Sequence, residues 1–195
     1  MYRTITIILF VFLFQSLFAS DVLILEDQGT QDSMYSILSK AGVSVDLGGP
    51  YWQYTGADIE QYKLIIFLNG VSWTNQMPDS TQQRILDFVA KGGSLFSIEW
   101  TVWYESSTGY DILRSALPVT YGGSWSTGQE LYQKVLEHPI SAGLPDSFYV
   151  KPQWSYSITI ADTTSDKYAE TIFHGSLSGA AVVTGRHGFG NIIQS

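Results

Sequence analysis

The sequence predicts an α/β fold, with an open, doubly wound and mainly parallel sheet first and a β-hairpin-rich second half. Two apolar runs, 64–68 and 95–98, support this prediction, because an amphipathic segment at 78–90 separates them. A strand, a helix and a second strand in this order form a crossover, which joins parallel neighbours and places helices on the sheet faces.

The first twenty residues predict a secretory signal peptide. Arg3 precedes an apolar run at 4–14 that is too short to span a bilayer comfortably, and small residues follow. Cleavage after Ala19 or Ser20 would leave a large residue three positions back, so an uncleaved membrane anchor is the alternative. Residues 21–195 then form a single domain, which is secreted or periplasmic if the leader is removed and has no further membrane contact.

The first half of this domain alternates strands and helices. A buried strand at 22–25 is followed by a helix with apolar residues at helical spacing, which ends at Gly42. A short strand at 43–46 comes next. The run at 64–68 is almost continuously hydrophobic, which suits an interior parallel strand. The helix at 78–90 ends at Gly92 and leads directly into the strand at 95–98.

The second half has a different pattern, with short extended runs separated by glycine-rich segments. The sequence predicts a short helix at 110–117, a loop at 122–128, a hairpin loop at 185–190, and extended segments at 131–136, 157–160, 168–173, 180–183 and 191–194.

Composition excludes several classes of function. Hydrophobic residues make up 45% of the 195 residues, which is enough for a real core. The chain has no cysteine, so it supplies no disulfide, thiolate ligand or cysteine nucleophile. Its formal charge of −8 argues against nucleic acid as a partner. The three histidines lack metal-site spacing, and we expect neither a metal nor a cofactor.

Several segments, in their order and spacing, indicate a family. They are the opening strand with its acidic exit and the segments 58–70, 77–95, 138–144 and 183–191. In these the chain resembles the class I glutamine amidotransferase-like superfamily, particularly its trehalose-utilisation (ThuA-like) and related uncharacterised branches. The resemblance covers most of residues 21–195 and implies a flavodoxin-like three-layer sandwich.

The chemistry of the family is not expected to carry over. True amidotransferases place a cysteine on a sharp turn with the pattern G-x-C-x-G, and matching this turn to 97–99 puts Glu99 at the nucleophile position, followed by the bulky Trp100. A ThuA-like member would tend to carry histidine there. The family's partner histidine and closing helix would follow the last strand, where the sequence stops, so we expect either that this end has been lost or that the chain is a fragment. Ser97 lacks the turn that a serine nucleophile needs.

Polar side chains follow the strands at the edge where a ligand of a parallel sheet binds. Neighbouring carboxylates can share a proton, bind a cation or act as acid and base; the alternative is that they are separate solvated residues. The residues expected to bind a ligand are Glu26, Asp27, Asn69, Gly70, Glu99, Trp100 and Trp103. If the protein is an enzyme, Glu99 and Asp27 are its expected catalytic residues.

Aromatic side chains are frequent in the predicted loops. Their rings suit the apolar faces of sugars when they are exposed beside carboxylates and amides, and they would also suit a protein surface; burial in small satellite cores is the alternative. The aromatic residues in question are Trp52, Tyr54, Trp73, Trp100, Trp103, Tyr104, Trp125 and Trp154.

These observations leave three hypotheses. The first is an exported, non-catalytic amidotransferase-like domain that binds a carbohydrate or a partner protein. The second is a sugar-active hydrolase or lyase that uses a carboxylate pair. The third is an assembly domain of a larger secreted protein, which would present an apolar sheet face.

Overall fold

A computed structural model describes residues 20–29, 31–69, 72, 75–103, 109–151, 156–164 and 166–195 of the chain. The leader, apart from Ser20, lies outside the described residues, as do Gly70, Trp73, Tyr104 and Trp154. The four α-helices in the described ranges are α1 (Gln31–Lys40), α2 (Asp79–Ala90), α3 (Trp100–Trp103) and α4 (Asp111–Arg114). The strands are β1 (Val22–Glu26), β2 (Val45–Pro50), β3 (Leu64–Phe67), β4 (Ser94–Ser97), β5 (Val119–Ser126), β6 (Glu130–Lys134), β7 (Ser147–Val150), β8 (Tyr156–Ala161), β9 (Glu170–Gly175), β10 (Gly179–His187) and β11 (Gly190–Gln194).

The predicted β-α-β unit is confirmed. Strands β3 and β4 pair in parallel, with Leu64 opposite Ser94, and α2 connects them. Strand β1 pairs in parallel with both β2 and β3, and β11 pairs in parallel with β4. This half of the sheet therefore has the order β2-β1-β3-β4-β11. Because these strands run in one direction, β1, β3, β4 and β11 end at a common edge, called here the C-terminal edge.

Side chains alternate between the two faces of this half, as the pleat of a strand requires. Leu23 and Leu25 of β1 belong to the main core, which includes Ile85 and Val89 of α2. Val22 and Ile24 belong to a second core, against which Met34 and Leu38 of α1 pack. Helices therefore cover opposite faces of the parallel strands.

The second half is antiparallel where the first is parallel. Strand β10 pairs antiparallel with both β11 and β9, and β6 pairs antiparallel with both β9 and β7. The described strands form one eleven-stranded sheet. The expectation of a mainly parallel sheet thus holds only for the first half, since the fold as a whole is mixed α/β. The hairpin-rich character of the second half is confirmed.

One predicted loop is wrong, because residues 122–126 belong to β5. This strand pairs with β8, and its register shifts between Tyr121 and Trp125. A side chain at Gly122 would overlap Ile158 of β8, and Gly123 has a φ of +84°. The glycines therefore allow a bulge and a close approach to a strand that is distant in the sequence. Strand β7 was also not predicted.

In the part of the chain that the structure describes, α2 is the longest helix, and no helix has the length and apolar character that crossing a bilayer requires.

Candidate functional site

Three of the predicted residues lie within two residues of the ends of strands at the C-terminal edge. Asp27 follows β1, Asn69 lies two residues after β3, and Glu99 lies two residues after β4. Parallel pairing of these strands accounts for their common placement, as expected from the sequence. Gly70, predicted at the same edge, lies outside the described residues.

Glu26 and Asp27 have different surroundings. Glu26 is half-buried, and its carbonyl accepts a hydrogen bond from the Tyr51 N–H at 3.1 Å. Asp27 is fully buried, and its Oδ1 accepts a hydrogen bond from the Ser72 N–H at 2.9 Å. Burial raises the pKa of Tyr51 to about 12; a hydrogen bond with Tyr110 lowers it, and the charge of Asp27 raises it. Asp27 therefore helps to hold Ser72, in the segment that follows β3.

Asn69 offers an unused donor at the edge. Its side chain is 5% exposed, and its Oδ1 accepts a hydrogen bond from the Thr101 Oγ1 at 3.1 Å. Its Nδ2 is buried and has no hydrogen-bond partner among the described residues. Because nearly all buried polar groups are paired in folded proteins, an unpaired amide nitrogen here points to a ligand or water as its partner.

A second unused donor comes from Gln194, at the end of β11. Gln194 is 1% exposed, and its Oε1 accepts a hydrogen bond from the Ser97 Oγ at 2.5 Å. Its Nε2 is buried and, within the described ranges, unpaired. Sequence reasoning missed Gln194, because only the parallel pairing of β11 with β4 places it beside Ser97. Ser97 is fully buried and bonded to an amide instead of a base, so it lacks the activation that a nucleophile requires.

Glu99 is half-buried, and its N–H donates to the Ser195 carbonyl at 2.7 Å. Burial raises the pKa of its carboxyl from 4.5 to about 7; a hydrogen bond from its own backbone lowers it, and the negative charge of Glu130 raises it. Near neutral pH both protonation states are therefore populated. The group can donate a hydrogen bond in one state and only accept in the other.

Glu130, which sequence reasoning also missed, is the first residue of β6 and is 1% exposed. Its Oε1 accepts hydrogen bonds from the Ser178 N–H at 2.7 Å, the Ser178 Oγ at 2.6 Å and the Leu177 N–H at 3.1 Å. A side chain at Gly175 would overlap this oxygen, so the glycine is required for the approach. No local sequence pattern marked Glu130, because its partners lie in the turn between β9 and β10.

Two tryptophans complete the edge. Trp100 and Trp103 are both half-buried on α3, with ring centroids 5.3 Å apart and an interplanar angle of 73°. Trp103 also packs against the main core. Trp100 begins the helix directly after Glu99, close to the end of β4.

We call Asn69, Ser97, Glu99, Glu130 and Gln194 the edge cluster. It combines two unpaired amide donors, a carboxyl that changes protonation near neutral pH and an anchored carboxylate. Such a set can recognise a neutral ligand that has several hydrogen-bonding groups. Over the described residues, no three His, Cys, Asp or Glu side chains are grouped in a way that could hold a metal ion.

Comparison with known proteins identifies the fold. No protein-family model and no curated protein sequence matches the chain. A β-galactosidase from Bacillus circulans sp. alkalophilus superposes with a TM-score of 0.67 and 14% identity, over 90% of this chain and 28% of that one. A glutamine amidotransferase from Thermotoga maritima superposes with a TM-score of 0.62 and 16% identity, over 89% of this chain and 73% of that one. A putative ThuA-like protein from Bacteroides uniformis superposes with a TM-score of 0.61 and 14% identity, over 90% of this chain and 80% of that one.

The chain thus spans little more than a quarter of the β-galactosidase but most of the amidotransferase and the ThuA-like protein. At these identities the likeness concerns the fold alone. The resemblance inferred from the sequence is supported to that extent: the chain has a mixed α/β fold of the glutamine amidotransferase-like type.

Proposed function

We propose that the protein is an exported, non-catalytic binding module for carbohydrate, with the edge cluster and Trp100 as its binding site. The main support for this proposal is the pair of buried, unpaired amide nitrogens, Asn69 Nδ2 and Gln194 Nε2. An amide left without a partner costs about 1–3 kcal/mol, so a ligand that accepts these two hydrogen bonds gains free energy from a cost already incurred by the fold.

Sugar hydroxyls match the chemistry of this edge. Each hydroxyl can accept a hydrogen bond from an amide and donate one to a carboxylate. Glu99 serves as an acceptor when ionised and as a donor when protonated. The Trp100 ring offers an aromatic surface to the apolar face of a sugar. A partner protein that presents a polar loop to the same edge is the alternative occupant.

We further propose that the chain is a three-layer, flavodoxin-like member of the amidotransferase-like superfamily, close to its ThuA-like branch. The opposite placement of α1 and α2 and the structural neighbours support this proposal. A β-galactosidase, which acts on a sugar, contains a similar fold over 28% of its length. That likeness agrees with carbohydrate as the ligand class and with the hypothesis of a domain within a larger protein.

The experiment is a titration of the protein with neutral monosaccharides and disaccharides, measured by calorimetry. Replacing Trp100 with alanine should weaken sugar binding about tenfold, because the stacking contribution of an aromatic ring is lost. Trp125→Ala is the matched control, since this ring is 58% exposed on β5. Binding of no sugar in the panel, or equal loss in both variants, would contradict the proposal.

A second candidate function is glycoside hydrolysis. The raised pKa of Glu99 favours it, because a carboxyl that stays protonated near neutral pH can act as a general acid. The partner carboxylate would be Glu130, whose charge acts on Glu99, in place of Asp27. The test is the release of nitrophenol from nitrophenyl glycosides. Release that is lost in Glu99→Gln and retained in Glu60→Gln would establish this function. If the protein releases no nitrophenol, the binding module remains as the proposed function.

A further inference from the structure

A cleft lies at the opposite end of β4 from Glu99. It has a volume of about 280 Å³ and opens between the start of β4, the start of β11 and the end of β10. Ser94 and Asn191, which are paired in register, belong to its lining. The cleft therefore shares no residue with the edge cluster and does not depend on the function proposed above.

An aromatic ring stands at this cleft in an unusual backbone conformation. Tyr168 lines the cleft, is 68% exposed and has a φ of +50°, which side-chain-bearing residues rarely adopt. The residue before it is fixed on two sides. The Lys167 carbonyl accepts a hydrogen bond from the Arg186 N–H at 2.8 Å, and Lys167 Nζ pairs with Asp162 Oδ2 at 2.6 Å. The fold thus maintains a strained residue that presents its ring to solvent beside a cavity.

Charged groups of both signs line the same cleft. Glu170 is opposite Thr184 in the β9–β10 pair, and Arg186 lies two residues farther along the same face of β10. Within the described residues, neither charged side chain forms an ion pair. Both therefore remain available to a ligand, and their opposite charges cancel.

His138 adds an oriented donor. Its Nδ1 accepts a hydrogen bond from the Ile140 N–H at 3.2 Å, so in the neutral ring the proton resides on Nε2. The cleft thus combines guanidinium, imidazole and amide donors with a carboxylate acceptor and an exposed ring.

From this set we infer that the cleft is a binding site for a single neutral sugar ring. The Tyr168 ring would stack on the apolar face of the sugar, while Arg186, Glu170 and Asn191 would pair with its hydroxyls. The volume lies just below the roughly 300–1,000 Å³ found for small-molecule sites, which suits one ring and not a chain. The balance of one Arg and one Glu selects a neutral ligand over an anion.

The test follows the backbone amide signals of Gly185 and Asn191 by NMR while glucose, galactose or mannose is added to the whole chain at millimolar concentrations. We expect at least one of these sugars to shift both signals, with saturation. Tyr168→Ala should weaken the measured affinity about tenfold, and Tyr168→Phe, which keeps the ring, should stay within about twofold of the original.

Tyr149→Ala is the matched control, because Tyr149 is also 68% exposed but does not line the cleft. It should leave the affinity measured from these two signals unchanged. If Tyr168→Ala does not fold, Arg186→Gln provides the second variant, with an expected loss of about tenfold. Unshifted signals with all three sugars, equal effects of the two tyrosine variants, or shifts caused only by charged ligands such as acetate would overturn the inference.

Discussion

The carboxyl of Glu99 should make the stability of the protein depend on pH. Burial raises the pKa of this carboxyl from 4.5 to about 7 in the folded state. A hydrogen bond from the backbone of Glu99 opposes this rise, and the negative charge of Glu130 adds to it. Between these two values the folded chain keeps a proton that the unfolded chain has lost. The contribution of Glu99 to the free energy of unfolding should therefore fall as the pH rises from 4.5 to about 7 and stay level above that.

The size of this effect follows from the same values. Each pKa unit corresponds to about 1.4 kcal/mol of difference between the protonation states. Because Glu99 is half-buried, part of the effect is screened by solvent, and we expect roughly 2–3 kcal/mol. Glu99→Gln places a neutral side chain of the same shape at this position. The variant should be more stable than the original by that amount at a pH of about 8, and similar to it at a pH of about 4.

Urea unfolding followed by tryptophan fluorescence at several pH values measures this difference. Glu60→Gln is the control, because the Glu60 side chain is 65% exposed and should show no such change. A Glu99→Gln curve that stays parallel to the original across the whole pH range would refute the reasoning, since it would mean that Glu99 ionises alike in both states.

Two further predictions concern the edge cluster. Glu130→Ala removes the acceptor of three hydrogen bonds and should lower the free energy of unfolding by about 3 kcal/mol or more. Its control is Glu137→Ala, which should change the free energy of unfolding by less than about 1 kcal/mol because this side chain is 81% exposed. Equal urea midpoints for the two variants would contradict the prediction. Asn69→Leu removes an unpaired amide nitrogen together with one hydrogen bond, so the free energy of unfolding should stay within about 1 kcal/mol of the original. Sugar affinity should fall about tenfold. A large loss of stability with unchanged affinity would show that the amide serves the fold alone.

The first half of the fold was predictable because its signals are local. The continuous apolar run of β3 and the amphipathic α2 each occupy a short stretch of sequence. Gly92, with a φ of +113°, ends the helix in a conformation that favours glycine. Once the strands were known to be parallel, the rule that their carboxyl ends meet at one edge was enough to place Asp27 and Glu99.

The second half was less predictable because its pairings connect distant segments. The glycines of β5 indicate a loop when read alone, and only the partner strand β8 explains them. Gln194 and Glu130 carry no local pattern that marks them as site residues. Gln194 required the knowledge that β11 lies beside β4, and Glu130 required the position of the turn at 176–178.

The antiparallel half explains how Glu130 acts on the edge at which Glu99 lies. Strand β11 runs parallel to β4, whereas β10 runs against β11, so β10 begins near the edge where β4 ends. The turn between β9 and β10 therefore lies at that edge, and Ser178 in this turn holds the Glu130 carboxylate. In a wholly parallel sheet a crossover would lead away from the edge, and no hairpin turn would reach it. The departure from a parallel fold thus supplies the second carboxylate, and it is the charge of this carboxylate that helps to keep Glu99 protonated near neutral pH.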